Sequence, residues 1–183
     1  MRIVALDQST TAVGVCLFNN DVLEKYFLIK PKKKKRITEL MVQNDKENHI
    51  YYLEMPEEMY AITLLRITEI VDFLEQFIVD IKPDVVYFEE IFENGNPKGY
   101  KSLARLQGFV AHLCHKLNIP YRIVEESKWI KSWGTYDRTI KRPERKADIM
   151  KKVNDLYGLN ITVDDLSDSI GIGKYATENE KEK

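Results

Sequence analysis

The chain has 183 residues, of which 44% are hydrophobic and 31% charged, with a formal net charge of −1. This length suits one domain, or one domain with an insertion, and the apolar share supports a sizeable core. The near-neutral balance argues against indiscriminate coating of nucleic acid, and no apolar run of about 18 residues is present to span a membrane.

Asp7 interrupts the first apolar stretch too early for a signal peptide. Residues 2–6 (Arg-Ile-Val-Ala-Leu) form a short apolar run ending at that acid, the pattern of a buried strand with a polar group at its carboxyl end. Gln8-Ser9-Thr10-Thr11 reads as a turn, 12–18 as a second strand, Asn19-Asn20-Asp21 as a hairpin turn and 22–29 as a third strand. Short turns between the three predict an antiparallel meander. Pro31 and a lysine run end this unit. Residues 38–55 show no clean period and are expected as loop, so a basic loop insertion is placed at about 30–55.

Pro56-Glu57-Glu58 has the composition of a helix start. Ile62, Leu65, Ile67, Ile70, Val71, Leu74, Phe77, Ile78 and Ile81 continue one amphipathic helix of five or six turns. A fourth strand at 85–88 is followed directly by Glu89 and Glu90. Beyond the Asn94-Gly95-Asn96-Pro97 loop, a helix is expected from about 101 to 117, with Ala104, Gly108 and Ala111 as a small-residue stripe. A fifth strand covers 121–124. A basic segment containing Trp129 and Trp133 runs to Arg142, and the Pro143-Glu144-Arg145 helix start opens a helix that Gly158 stops. Asp164 or Asp165 can cap a last helix running to about Ala176, which leaves 177–183 as a frayed tail.

The order predicts an α/β fold with a mixed five-stranded sheet, a three-strand antiparallel meander plus two parallel strands, flanked by helices in a single domain over 1–183. Cys16 and Cys114 fall in apolar patterns and read as reduced core residues, so a cytoplasmic location is expected. His112, Cys114 and His115 lack the spacing of a structural zinc site.

Charge is unevenly placed. Residues 30–36 carry Lys30, Lys32, Lys33, Lys34, Lys35 and Arg36 with no acid among them. Residues 127–152 carry nine Lys or Arg against Asp137, Glu144 and Asp148. Such runs are either solvated surface or phosphate contacts. For the second, Lys128, Lys131, Arg138, Lys141, Arg142 and Arg145 are candidates for a phosphate track.

In the expected sheet, Asp7 and Glu89 sit beyond the carboxyl ends of neighbouring strands, where functional groups of such sheets collect. Asp165 and Asp168 are three apart on a helix and share a face. Unneutralised acids brought this close repel one another, and a hard divalent cation relieves the repulsion. An oxygen-only donor set without His or Cys favours Mg²⁺ or Mn²⁺. Two such ions suit phosphodiester hydrolysis.

Three ordered motifs carry a resemblance: residues 3–14 (Ile-Val-Ala-Leu-Asp-Gln-Ser-Thr-Thr-Ala-Val-Gly), residues 86–92 (Val-Tyr-Phe-Glu-Glu-Ile-Phe) and the Asp165-x-x-Asp168 helix. Together they resemble the RuvC-type Holliday junction resolvases, and the likeness spans most of the chain. It implies an RNase H-like fold, with Asp7, Glu89, Asp165 and Asp168 as ligands of Mg²⁺, for which Mn²⁺ substitutes. It also implies Lys146 as a catalytic lysine beside the scissile phosphate, and Phe92 as an aromatic that stacks on bases, although Phe92 equally suits a core. The implied partner is branched DNA, foremost the four-way junction, cut by a homodimer with no membrane association. A less selective nuclease and a junction-binding protein without catalysis remain as alternatives. The chain departs from the family in its long basic 30–55 stretch, in Leu166 and Ser167 between the aspartates, and in Glu90.

Overall fold

A computed structural model describes residues 1–34, 46, 49–93, 95–135 and 139–182. Six strands lie in one sheet: β1 (Arg2–Asp7), β2 (Val13–Asn19), β3 (Val22–Lys33), β4 (Ile50–Met55), β5 (Val85–Glu89) and β6 (Tyr121–Val124). Their spatial order is β4-β3-β2-β1-β5-β6. The expected meander forms, with β1–β2 and β2–β3 antiparallel, and β5 and β6 extend it in parallel beside β1. The sheet has six strands, not five. Ile50–Met55, expected as loop, pairs in parallel with the last half of β3 from Leu28↔Ile50 to Lys33↔Met55. Its side chains carry no clean alternation because this edge strand is half-exposed on both faces, and only Met55 is fully buried.

The helices are α1 (Glu57–Ala61), α2 (Thr63–Ile81), α3 (Pro97–Lys116), α4 (Glu126–Ser132), α5 (Arg142–Tyr157) and α6 (Asp164–Lys181). The single helix expected from residue 56 is broken at Ile62, which is extended at φ −94° and ψ 110°. Arg66 holds that break: its guanidinium donates to the Tyr60 carbonyl, to Thr63 Oγ1 at 3.1 Å and to the Thr10 carbonyl at 3.4 Å. The last of these ties the break to the turn that follows Asp7. Helix α3 starts earlier than expected because Asn96 caps it, accepting from the Gly99 N–H at 3.0 Å, with Pro97 in the first turn. Helix α6 continues past Ala176. Its end is held by the Tyr87 hydroxyl donating to Glu180 at 2.6 Å and by the Lys181–Asp21 ion pair.

Strand alternation divides the core into two layers. Val4, Leu6, Val15, Phe27, Ile29, Val86 and Phe88 pack under α2 and α3. Ile3, Ala5, Cys16, Leu28, Val85 and Tyr87 face α4, α5 and α6. By the same alternation Asp7 and Glu89 project on the α6 face. Helix α6 is buried from Leu166 to Gly173, so it lies flat on the sheet. Gly14 of β2 and Gly173 of α6 permit this approach. A Cβ on Gly14 would stand 2.0 Å from the Asp165 carbonyl oxygen, and one on Gly173 2.6 Å from Cys16 Sγ. Among the described residues no helix is long and apolar enough to cross a membrane.

Candidate active site

Asp7 ends β1 and Glu89 ends the neighbouring parallel strand β5, where the register runs to Leu6↔Phe88. Asp7 also lies opposite Gly14, against which the first turn of α6 presses. Three elements thus deliver Asp7, Glu89, Asp165 and Asp168 to one place.

The electrostatics record this convergence. Burial raises the Asp7 carboxyl well above its usual range, and the charges of Asp168, Glu89 and Asp165 push it further up. Burial likewise lifts Glu89 to about 7, against the stabilising Trp129 hydrogen bond. Asp168 is lifted to about 6 by burial, which outweighs the pull of Lys146. Asp165 is raised by burial and by Asp164, while Lys146, Lys30 and Arg142 act in the opposite sense. These groups hold their negative charge at a cost that positive charge nearby would remove.

Lys146, from the first turns of α5, supplies part of that charge. Its ammonium reaches Asp164 at 2.7 Å and Asp168 Oδ2 at 2.9 Å. Burial lowers the lysine's pKa, but Asp168, Asp164 and Asp7 outweigh it and hold the proton firmly. The other oxygen, Asp168 Oδ1, is buried and has no hydrogen-bond partner. Such an orphaned acceptor is costly unless something meets it.

Glu89 has a partner that sequence reasoning missed. The Trp129 indole donates to Glu89 Oε2 at 2.8 Å, and its ring lies against α6 where a Cβ on Gly171 would approach it to 2.8 Å. Trp129 therefore wedges the β5 carboxylate against the late helix. Trp133, four residues along, meets the same helix and donates to the Gly171 carbonyl at 3.1 Å. Gln107 of α3 braces the same strand end, donating to the Glu89 carbonyl at 2.9 Å and to Gln8 at 3.4 Å. Asp164, read from sequence as a cap, makes no side-chain cap bond and instead holds Lys146. Its position beside Asp165 was the available signal.

The donor set is all oxygen, and the unpartnered Asp168 Oδ1 suits a hard divalent cation. The acids are gathered but not closed. Among the described residues no three His, Cys, Asp or Glu side chains form a group that could hold an ion as it stands. The Lys146 ammonium occupies one side of Asp168 and the Trp129 indole one oxygen of Glu89. The donor chemistry fits an ion, and closing the cluster around one requires side-chain movement.

The basic residues lie around this centre unequally. Arg142 acts on both Glu89 and Asp165 and sits 3.7 Å from Glu126. Arg145 and Arg142 line a small cleft with Asp168 and Trp129. Lys128 is exposed and paired with Glu125 at 3.0 Å. Lys131 is exposed on the same short helix, and Lys141 is exposed at the N-terminal edge of α5. Arg138 lies outside the described residues. Phe92 is 57% exposed in the loop after β5, so it is not a core residue.

The mixed sheet and its flanking helices form an RNase H-like fold of the kind seen in RuvC. Among solved structures the chain is similar to the Thermus thermophilus RuvC in complex with a Holliday junction substrate, with a TM-score of 0.68 and 13% identity over 99% of this chain and 96% of that one. It is also similar to the fowlpox virus resolvase in complex with Holliday junction DNA, at TM-score 0.55 and 12% identity over 98% and 99% of the two chains. The yeast mitochondrial Holliday junction resolvase matches at TM-score 0.51 and 12% identity over 96% and 78%. No protein-family model and no curated protein sequence matches the chain.

Proposed function

We propose that this chain is a divalent-cation-dependent endonuclease that cuts branched DNA, with the four-way junction as its substrate. The observation that carries the reading is the approach of Asp7, Glu89, Asp165 and Asp168 from β1, β5 and α6, set by the β1–β5 register and the seating of Asp165 on Gly14, and the upward pKa shifts of all four support it. A pure phosphate binder gains nothing from four converging negative charges. The likeness to resolvases solved with junction DNA supports the choice of substrate.

In this reading the four acids hold Mg²⁺, or Mn²⁺ in its place. When bound, the metal lowers the pKa of an attacking water and offsets the charge that builds on the phosphate. Lys146 stays protonated beside Asp168 and presents its ammonium to a phosphate oxygen at the scissile position. Trp129 fixes the direction of the Glu89 carboxylate. Arg142 and Arg145, with Lys128, Lys131 and Lys141 further out, offset the repulsion between the acids and the approaching backbone. Phe92, exposed in the loop three residues after Glu89, would stack on an unpaired base near the branch. A homodimer would set two such centres about one axis and cut two symmetry-related strands.

The test compares labelled four-way junction, replication fork and linear duplex incubated with the protein and Mg²⁺, and repeats the set with Asp7→Asn. Paired symmetric cuts confined to the junction, lost in the variant while binding remains, are expected. Cuts on every branched form would reduce the reading to a less selective nuclease. Binding without metal-dependent cleavage would overturn it in favour of a binding protein. Changing Lys141 and Arg142 together to Ala should weaken binding and flatten its salt dependence.

A further inference from the structure

Strand β3 is twelve residues long, Val22–Lys33, but β2 accompanies it only as far as Val13↔Ile29. Beyond that point β3 is paired with β4 alone, from Lys30↔Tyr52 to Lys33↔Met55. Both meander pairings are antiparallel, so β3 runs in the same direction as β1. The overhang therefore projects from the end of the sheet that carries Asp7.

Level and face follow from the register. Asp7 lies opposite Gly14, and Gly14 opposite Leu28. At about 3.3 Å per residue, Lys30 stands about 7 Å and Lys32 about 13 Å beyond the level of Asp7. Leu28 packs in the layer facing α6, so alternation turns Lys30 and Lys32 to that face as well, the face of Asp7 and Glu89. Lys33 turns the opposite way and is neutralised by Glu57 at 2.6 Å.

The two lysines on the site face are not neutralised in this manner. Among the described residues neither makes an ion pair. Glu54 is opposite Lys32 in register, yet the Lys32 ammonium lies over the Tyr52 ring, 5.5 Å from its centroid. Both stems are half-buried, which limits their freedom without covering their charge. The charge of Lys30 already acts on the Asp165 carboxylate. The α4–α5 basic segment reaches the acids from the helical layer over the same face, with Lys146 on Asp168 at 2.9 Å and Arg142 acting on Glu89. The two lysines rise from positions about 7 Å apart along the strand backbone, a step comparable to that between successive phosphates on a DNA strand.

We propose that Lys30 and Lys32 form a phosphate-binding rail on the β3–β4 overhang, which guides one duplex arm of a branched DNA past the acidic site. The inference rests on the endonuclease reading for its ligand. It adds a second set of cations to those of the α4–α5 segment, and it makes the described start of the basic run, Lys30 and Lys32, a contact surface.

The experiment measures binding of a fluorescent four-way junction by the full chain across a salt series, with Ca²⁺ in place of Mg²⁺ to suppress cleavage. Lys30→Ala with Lys32→Ala should lower affinity on the order of tenfold near 0.1 M salt. It should also reduce the slope of log affinity against log salt by about 2, since each lost phosphate contact removes roughly 0.9. Lys33→Ala, which removes the same kind of charge from the other face, should leave the slope unchanged. The double change to Arg should restore it, which separates lost charge from lost fold. A wild-type slope in the double alanine variant, or an equal loss in Lys33→Ala, overturns the rail and leaves the endonuclease reading intact. A wild-type chain that binds no branched DNA even at low salt overturns both.

Discussion

Gly14→Ala tests whether the site depends on the close seating of α6 on the sheet. The added Cβ would stand 2.0 Å from the Asp165 carbonyl oxygen, 2.7 Å from its carbonyl carbon and 3.2 Å from Ser169 Cβ. The first two atoms are backbone, so no rotamer change relieves the clash. Reaching ordinary contact near 3.4 Å requires the first turn of α6 to retreat by about 1.4 Å. That turn carries Asp165 and leads to Asp168, and Gly14 is the register partner of Asp7, so the retreat separates the acids directly. Overpacking of this kind costs about 1–3 kcal/mol, and the upper end applies here because backbone meets backbone. In a chain of this size that is a fall in Tm of roughly 5–10 °C. A displacement of about 1 Å in a catalytic constellation costs on the order of a hundredfold in rate. Thermal unfolding and single-turnover junction cleavage read the two effects. Gly108→Ala is the control: nothing lies within 4 Å of its added Cβ, and in mid-helix it should stabilise by up to about 1 kcal/mol. A Gly14→Ala protein with wild-type Tm and wild-type cleavage would refute the reasoning.

Glu89 is lifted from 4.5 to about 7 and Asp168 from 3.8 to about 6, so in this window the folded state binds more protons than the unfolded one. The metal-free protein should therefore lose stability as pH rises from about 4 to 8, by up to about 3 kcal/mol for each group. Urea titrations with a chelator at pH 5 and pH 8 check this, and greater stability at pH 8 would contradict it. Trp129→Phe keeps the buried ring but removes the donor to Glu89. A hydrogen bond to a charged group is worth about 1.5–3 kcal/mol, so in the presence of a chelator the variant should lose about that much stability at pH 8, where Glu89 is charged, and little at pH 5. Equal losses at both pH values would place the indole in packing alone. Lys146→Met keeps the stem but leaves the Asp168 carboxylate buried and unpaired. Stability should fall by about 3–5 kcal/mol above pH 7 and recover near pH 5, where Asp168 is neutral. Equal losses at both pH values would point to packing instead of charge.

Much of the architecture was legible because it depends on local rules. Apolar runs at 2–6, 12–18 and 85–88 with short turns between the early ones specify strands and their pairing, and an acid directly after a buried strand specifies where Asp7 and Glu89 must project. The spacing of Asp165 and Asp168 specifies a shared helix face. Strand β4 is not legible in the sequence because a half-exposed edge strand has no amphipathic period. The break at Ile62 leaves no mark in the sequence, since no proline or glycine accompanies it. Its cause is Arg66, whose bonds reach the turn after Asp7.

The amino-acid order by itself determined five of the six strands, most of the helices and the presence of acids at strand ends, since these follow from periodicity and chain reversal. Only the tertiary structure decided which groups meet the acids. The Trp129 indole on Glu89, the Lys146 ammonium between Asp164 and Asp168, and the seating of α6 against Gly14 join residues from 18 to 151 positions apart in the chain. Such contacts depend on three-dimensional closure and on the balance between burial and charge, and neither leaves a periodic mark in a linear sequence.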